Sequence, residues 1–153
     1  MTLEKLFQEP VGMLRLQKNL VGMEQEPVSS IVRQMIEFRS SCVLIIKNQS
    51  QPCGIFSECD FVKKVLAEGL PPSKTLVKDV MSPNPVMIKA TTNVGEAMKI
   101  MSRNNIHHIP VLNKDSSVLG ILSVFQIMEL VASYFPQEIN SPWHIIKKND
   151  TVW

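Results

Sequence analysis

Cys53-Gly54-Ile55-Phe56-Ser57 returns, class for class, as Leu119-Gly120-Ile121-Leu122-Ser123. The two glycines stand 66 positions apart, and the same step pairs Val11 with Val77, Val28 with Val94, Met35 with Met101, Ile45 with Val111 and Val65 with Val131 without a gap. Identity is sparse, but the apolar register holds along the whole unit, which marks an internal repeat. Solenoid periods run at about 20 to 50 residues, so a longer unit present twice predicts two packed copies and not an extended array.

Working outward from that pair, each unit reads as strand, helix, strand, strand, helix. Val28, Ile31, Val32, Met35 and Ile36 recur at the spacing of one buried helical stripe, opened by Glu26-Pro27. Val94, Ala97, Met98 and Met101 are the counterpart. Cys42-Val43-Leu44-Ile45-Ile46 and Ile109-Pro110-Val111-Leu112 are short apolar runs of strand length. Turn-rich Asn48 to Pro52 and Asn113 to Ser117 each lead into a second apolar run, which makes a hairpin. A second helix follows, from Glu58 through Phe61, Val62, Val65 and Leu66 to Gly69 in one unit and from Ile127 to about Tyr134 in the other. The expected fold class is α/β (α+β), with the two copies packed sheet to sheet about a pseudo-two-fold axis. A unit of this size is marginal alone, so the contact between copies is the natural cleft.

Composition narrows the function classes. With 153 residues, 44% hydrophobic and 20% charged, the chain suits one small globular domain or two very small ones. No apolar run reaches the roughly 18 residues of a membrane span, and the first residues, Met1-Thr2-Leu3-Glu4-Lys5, do not resemble a secretory signal. The expected setting is cytoplasmic, without membrane attachment. A net charge of +2 and scattered lysine pairs (Lys63-Lys64, Lys147-Lys148) argue against nucleic acid as a partner. Cys42, Cys53 and Cys59 form neither a disulfide framework nor a CxxC motif. Cys59 lies between Glu58 and Asp60, which disfavours a thiolate. HExxH, paired CxxC and Walker A patterns are absent, so the chain is not expected to be an enzyme or to hold a metal.

Four segments in order carry a family resemblance: Gly54-Ile55-Phe56-Ser57-Glu58-Cys59-Asp60, Val77-Lys78-Asp79-Val80-Met81-Ser82-Pro83, Ile106-His107-His108-Ile109-Pro110-Val111, and Gly120-Ile121-Leu122-Ser123. Together they resemble a tandem CBS-domain pair, the Bateman module, over residues 8 to 135. The resemblance implies one CBS repeat over 8–70, a second over 71–135 and a C-terminal extension over 136–153. It also implies a regulatory module that binds AMP, ADP, ATP, NAD(H) or S-adenosylmethionine between repeats, requires no cofactor, dimerises with its own kind and signals to a separate effector protein. By the family pattern Ser57 and Asp60 would hold ribose, and Ile55, Met81, Val86 and Ile106 would wall the adenine. His107 and His108 would face phosphate. A carboxylate accepting from both ribose hydroxyls makes the stronger, charge-assisted kind of bond. The same Ser57 and Asp60, three apart at a helix start, also read as ordinary N-capping.

Three departures bear on that expectation. Cys59 and His107 stand where close relatives often have arginine, which removes fixed positive charge. Gln126 stands where the second copy should have aspartate. The second cleft, with Arg15, Leu20, Ser41, Ser123 and Gln126, is therefore expected to be the weaker site. The same losses favour an alternative, a protein-interaction scaffold that no longer binds nucleotide. Beyond the resemblance, Trp143 and Trp153 flank His144-Ile145-Ile146, anchors suited either to an interface or to packing on their own module.

Overall fold

The computed structural model describes residues 3–48 and 51–133. The extension over 136–153, with Trp143 and Trp153, lies outside the described residues, as do the turn residues 49–50. The chain opens with α1 (Leu3–Gln8) and a 3-10 turn at Val11–Met13. The first unit follows as β1 (Val21–Met23), α2 (Val28–Glu37), β2 (Cys42–Lys47), β3 (Gln51–Ser57) and α3 (Glu58–Asp60), the last continuing as a π-helix over Phe61–Leu66. After α4 (Val77–Val80) and β4 (Ser82–Pro83) the second unit repeats the order: β5 (Ile88–Lys89), α5 (Val94–Asn104), β6 (His108–Leu112), β7 (Val118–Ser123) and α6 (Val124–Ser133).

The two sheets are built alike. β2 is parallel to β1 and antiparallel to β3, and β4 adds to the far edge of β3; β6 is likewise parallel to β5 and antiparallel to β7. The repeat step of 66 is kept down to single hydrogen bonds. The register shifts between Ile45 and Ile46 in β2 and between Val111 and Leu112 in β6. Val11 N–H donates to Thr92 O and Val77 N–H to Glu26 O, while Val28 N–H donates to Thr75 O and Val94 N–H to Glu9 O. Every one of these bonds maps onto its partner by the same step, so the pseudo-two-fold relation is a property of the backbone.

Those bonds also show an exchange. Val77 and Val80 of α4 are buried with Val28, Ile31, Val43 and Phe56 of the first unit. Val11 is buried with Val94, Met101, Val111 and Leu122 of the second, and Phe7, Leu14 and Leu16 pack against that cluster. The segment preceding each unit therefore completes the core of the other. Val28, Ile31 and Met35 form the buried stripe expected of α2, but Ile36 is 73% exposed. Met98 on α5 is likewise exposed. The sheet takes only the i, i+3, i+7 edge of each helix, and the next position turns outward. The second helix of the first unit is also not regular α, and α6 starts three residues earlier than its stripe suggests, at Val124, because Ser123 caps it.

Candidate functional site

At the end of β3 the backbone of Ser57 is extended (φ −124°, ψ 169°), which frees its side chain to cap the helix behind it. Ser57 Oγ accepts from Asp60 N–H, and Asp60 Oδ2 takes Ser57 N–H at 2.9 Å and Ser57 Oγ–H at 2.8 Å, a capping box. The other oxygen, Oδ1, accepts from Ser82 Oγ at 2.9 Å and pairs with Lys64 Nζ at 2.6 Å. Asp60 is buried. Burial pushes its carboxyl up, but Lys64, Ser57 and Ser82 outweigh it and hold the acid below its ordinary value. Capping thus uses the residues that the family pattern assigns to ribose, and Ser82 and Lys64 are partners that sequence reasoning did not foresee. The i, i+4 spacing of Asp60 and Lys64 was the available signal.

The second copy repeats the cap with an amide. Ser123 Oγ accepts from Gln126 N–H at 3.2 Å, and Gln126 Oε1 accepts from Ser123 N–H at 2.8 Å. The donor end, Nε2, reaches Arg15 O at 2.7 Å. A carboxylate has no such donor, so glutamine here ties the segment before the first unit to the start of α6. Beside this tie lies a cavity of about 1260 Å³ lined by Arg15, Leu16, Gln17, Lys18, Arg39 and Gln126, among others. Lys18 and Arg39 were not singled out by the sequence. They are far apart in the chain, and only the fold gathers them with Arg15 on one cavity, whose wall also holds Glu9 and Glu129.

The remaining expected residues fall in several places. Ile55 pairs with Leu44 and Ser82 across the first sheet, and Met81 covers Gly54 so closely that a Cβ there would overlap its sulfur. Val86 is partly exposed, whereas Leu20, its repeat partner, packs on the first core. His108 Nε2 and Ser41 Oγ share a hydrogen bond of 2.7 Å that joins the two units. Burial, and then the neighbouring His107, hold His108 below its ordinary pKa, which favours the neutral ring. Ile106 and His107 line a different space, an apolar groove of about 650 Å³ beside α5 and α6. The structure therefore brings together Ser57, Asp60 and Ser82, then Ser41 and His108, then Arg15 and Gln126, and sets Ile106 and His107 in the groove.

Among the described residues no three His, Cys, Asp or Glu side chains converge as metal ligands. Cys42 is buried in β2, and desolvation together with Glu58 pushes its thiol up to about 12. No helix among the described residues is long and apolar enough to cross a membrane.

Comparison with known proteins agrees with this architecture. The family model described as CBS domain matches residues 77–133. A CBS domain-containing protein of Arabidopsis thaliana is 38% identical over 103 residues, which is 67% of this chain. The chain spans only about a fifth of the length of that relative and of the next two. An uncharacterized conserved protein from Pyrococcus horikoshii superposes with a TM-score of 0.76 at 23% identity, covering 82% of this chain and 93% of that one. A CBS domain protein from Pyrobaculum aerophilum complexed with AMP gives a TM-score of 0.69 at 20% identity, covering 81% and 99%. At these identities the likeness is one of fold.

Proposed function

Because the chain belongs to the CBS-domain family, we propose that it is a regulatory module that binds an adenosine-containing ligand between its two repeats. AMP, ADP, ATP, NAD(H) and S-adenosylmethionine are the candidate ligands, and binding is passed on to a separate protein. The reading rests chiefly on the cavity beside Arg15 and Gln126, which draws its lining from both units and has the cations Arg15, Lys18 and Arg39, the acids Glu9 and Glu129, and apolar Leu14 and Leu16 in its wall. Fixed guanidinium charge suits phosphate, and the leucines suit a base. The cap at Ser57 and Asp60, which the family pattern assigns to ribose, is the second place for the same ligand; Ile55 pairs with Ser82, the residue that bonds Asp60, and His108 bonds Ser41 just before β2. A ligand there has to displace Lys64 or Ser82 from Asp60. A ligand that prefers one arrangement of the two units shifts the population toward it, and that shift is the signal. We place the protein in the cytoplasm as a homodimer, in keeping with its free thiols and with exposed Ile36, Val62 and Leu66 on the first unit.

Thermal-shift titration with each candidate ligand tests this, on the wild type, Arg15→Ala and Asp60→Asn. Saturation near 100 times Kd adds about 2.7 kcal/mol of stability. An increment lost in Arg15→Ala alone assigns the cavity, and one lost in Asp60→Asn alone assigns the first cleft. No increment with any ligand favours the scaffold reading.

A further inference from the structure

Moved by the repeat step of 66, Ser57, Asp60 and Lys64 become Ser123, Gln126 and Leu130, and Ser82, moved back by the same step, becomes Leu16. Gln126, Leu130 and Leu16 all line the open cavity of about 1260 Å³. Met81, which covers Gly54, likewise has its counterpart in Arg15 of the same wall. The two copies therefore share one site plan and differ in what their side chains do with it. In the second copy two of the positions are leucines, with no polar atom to offer Gln126. In the first copy the same positions bond to one another. Lys64 Nζ lies 2.6 Å from Asp60 Oδ1 and donates to Ser82 Oγ at 3.0 Å, while Ser82 Oγ donates to that same Oδ1 at 2.9 Å. Oδ2 accepts from Ser57 N–H and Ser57 Oγ–H. A carboxylate has about four acceptor sites, so the chain itself fills those of Asp60.

We propose, resting on the adenosine-ligand reading, that Lys64 is a built-in occupant of the first site: its ammonium holds the place on Asp60 that a ligand hydroxyl would take, and leaves the cavity at Gln126 as the open one of the two. A neutral hydroxyl competes poorly with an ammonium for a carboxylate, because the bond it must replace is charged at both ends. Asp60 is buried, so water does little to weaken its end of the pair, whereas the Lys64 side chain is 41% exposed and can swing out without unfolding its helix. The contact is therefore reversible, a lock and not a wall. Lys64 also sits in the π-wound stretch Phe61–Leu66, whereas its counterpart Leu130 sits in the regular helix α6. Such π turns recur at functional sites.

Calorimetric titration with AMP and with S-adenosylmethionine tests the lock on the wild type, Lys64→Leu and Lys63→Leu, with the Asp60 carboxyl followed by carbon-13 NMR as a ligand-free readout. Lys64→Leu installs the second copy's residue, and Lys63→Leu removes the same charge from the exposed neighbour. The wild type should take one equivalent of a probe per chain. Lys64→Leu should take a second, tighter by roughly tenfold than any second binding to the wild type, and adding Asp60→Ala to it should abolish that second equivalent. Lys63→Leu should stay at one. The Asp60 carboxyl should titrate at higher pH in Lys64→Leu than in the other two chains. Two equivalents in the wild type, no gain in Lys64→Leu, or an Asp60 titration that Lys64→Leu leaves in place each overturns the lock and leaves the adenosine reading standing. One equivalent in Lys64→Leu with none in the wild type supports the lock and removes the cavity from that reading. Binding by none of the chains overturns both.

Discussion

Asp60 shows how one side chain serves two ends. Its four acceptor bonds close a capping box, tie β4 to the first sheet through Ser82, and hold Lys64. A carboxyl held below its ordinary value contributes stability that is complete above the unfolded value of about 3.9. That contribution is lost as pH falls through the lower folded value. Asp60→Asn is expected to lower stability at neutral pH by roughly 1–2 kcal/mol, and the gap from wild type should close as pH falls through the carboxylate range. Urea unfolding at a series of pH values checks this, and a gap of constant size would show that the charge is irrelevant. Gly54 and Gly120 belong to the same scale. A Cβ at Gly120 would lie 2.6 Å from Leu16 Cβ and 3.0 Å from Gln17 O, so both repeats need glycine where a neighbouring segment crosses the strand.

At the scale of elements, the two copies differ where proline and capping chemistry differ. Leu44 N–H donates to Leu20 O and fastens the approach to β1. Its counterpart is Pro110, which has no N–H, so the stretch at Val86 lacks that bond and Val86 stays partly exposed. The first helices differ too. Pro27 starts α2 with no side-chain cap, whereas Asn93 Oδ1 accepts from Glu96 N–H at 2.8 Å at the start of α5. Asn93→Ala is expected to cost about 1 kcal/mol, seen as a lower urea midpoint at unchanged slope. A loss below a few tenths would mean that packing of Val94, Ala97 and Met101 alone sets the helix start.

For the molecule as a whole, the exchange of leading segments ties the units together. Leu6 and Val11 are fully buried, and burial of such side chains contributes roughly 1.5–3 kcal/mol each. Deleting residues 1–16 should therefore weaken the second unit before the first, although the deleted residues precede the first in sequence. Hydrogen exchange provides the measurement: protection should fall across α5, β6 and β7 and persist in β2 and β3. A uniform fall would mean that the two units unfold as one cooperative body, and loss confined to β1 and α2 would contradict the exchange. Ser41 and His108 add a polar link between the units, at a position where a neutral ring is favoured.

The repeat, the element order, the two central strands and the buried edge of each helix were legible in the sequence, because they rest on periodicity and on the apolar character of single residues. The capping of the helix start by Ser57 and Asp60 was legible for the same reason, being local, whereas the matching cap of Ser123 and Gln126 emerged with the structure. Tertiary structure alone decided which core each leading segment enters, because Val11 and Val77 are equally apolar and only the hydrogen-bond partners available to their backbones separate the two choices. It also decided that Ile36 and Met98 face outward, that Ile106 and His107 line a groove beside α5 and α6, and that Lys18 and Arg39 share a cavity with Gln126. Each depends on residues distant in the chain meeting in space, and on geometry that no spacing along one strand or helix encodes.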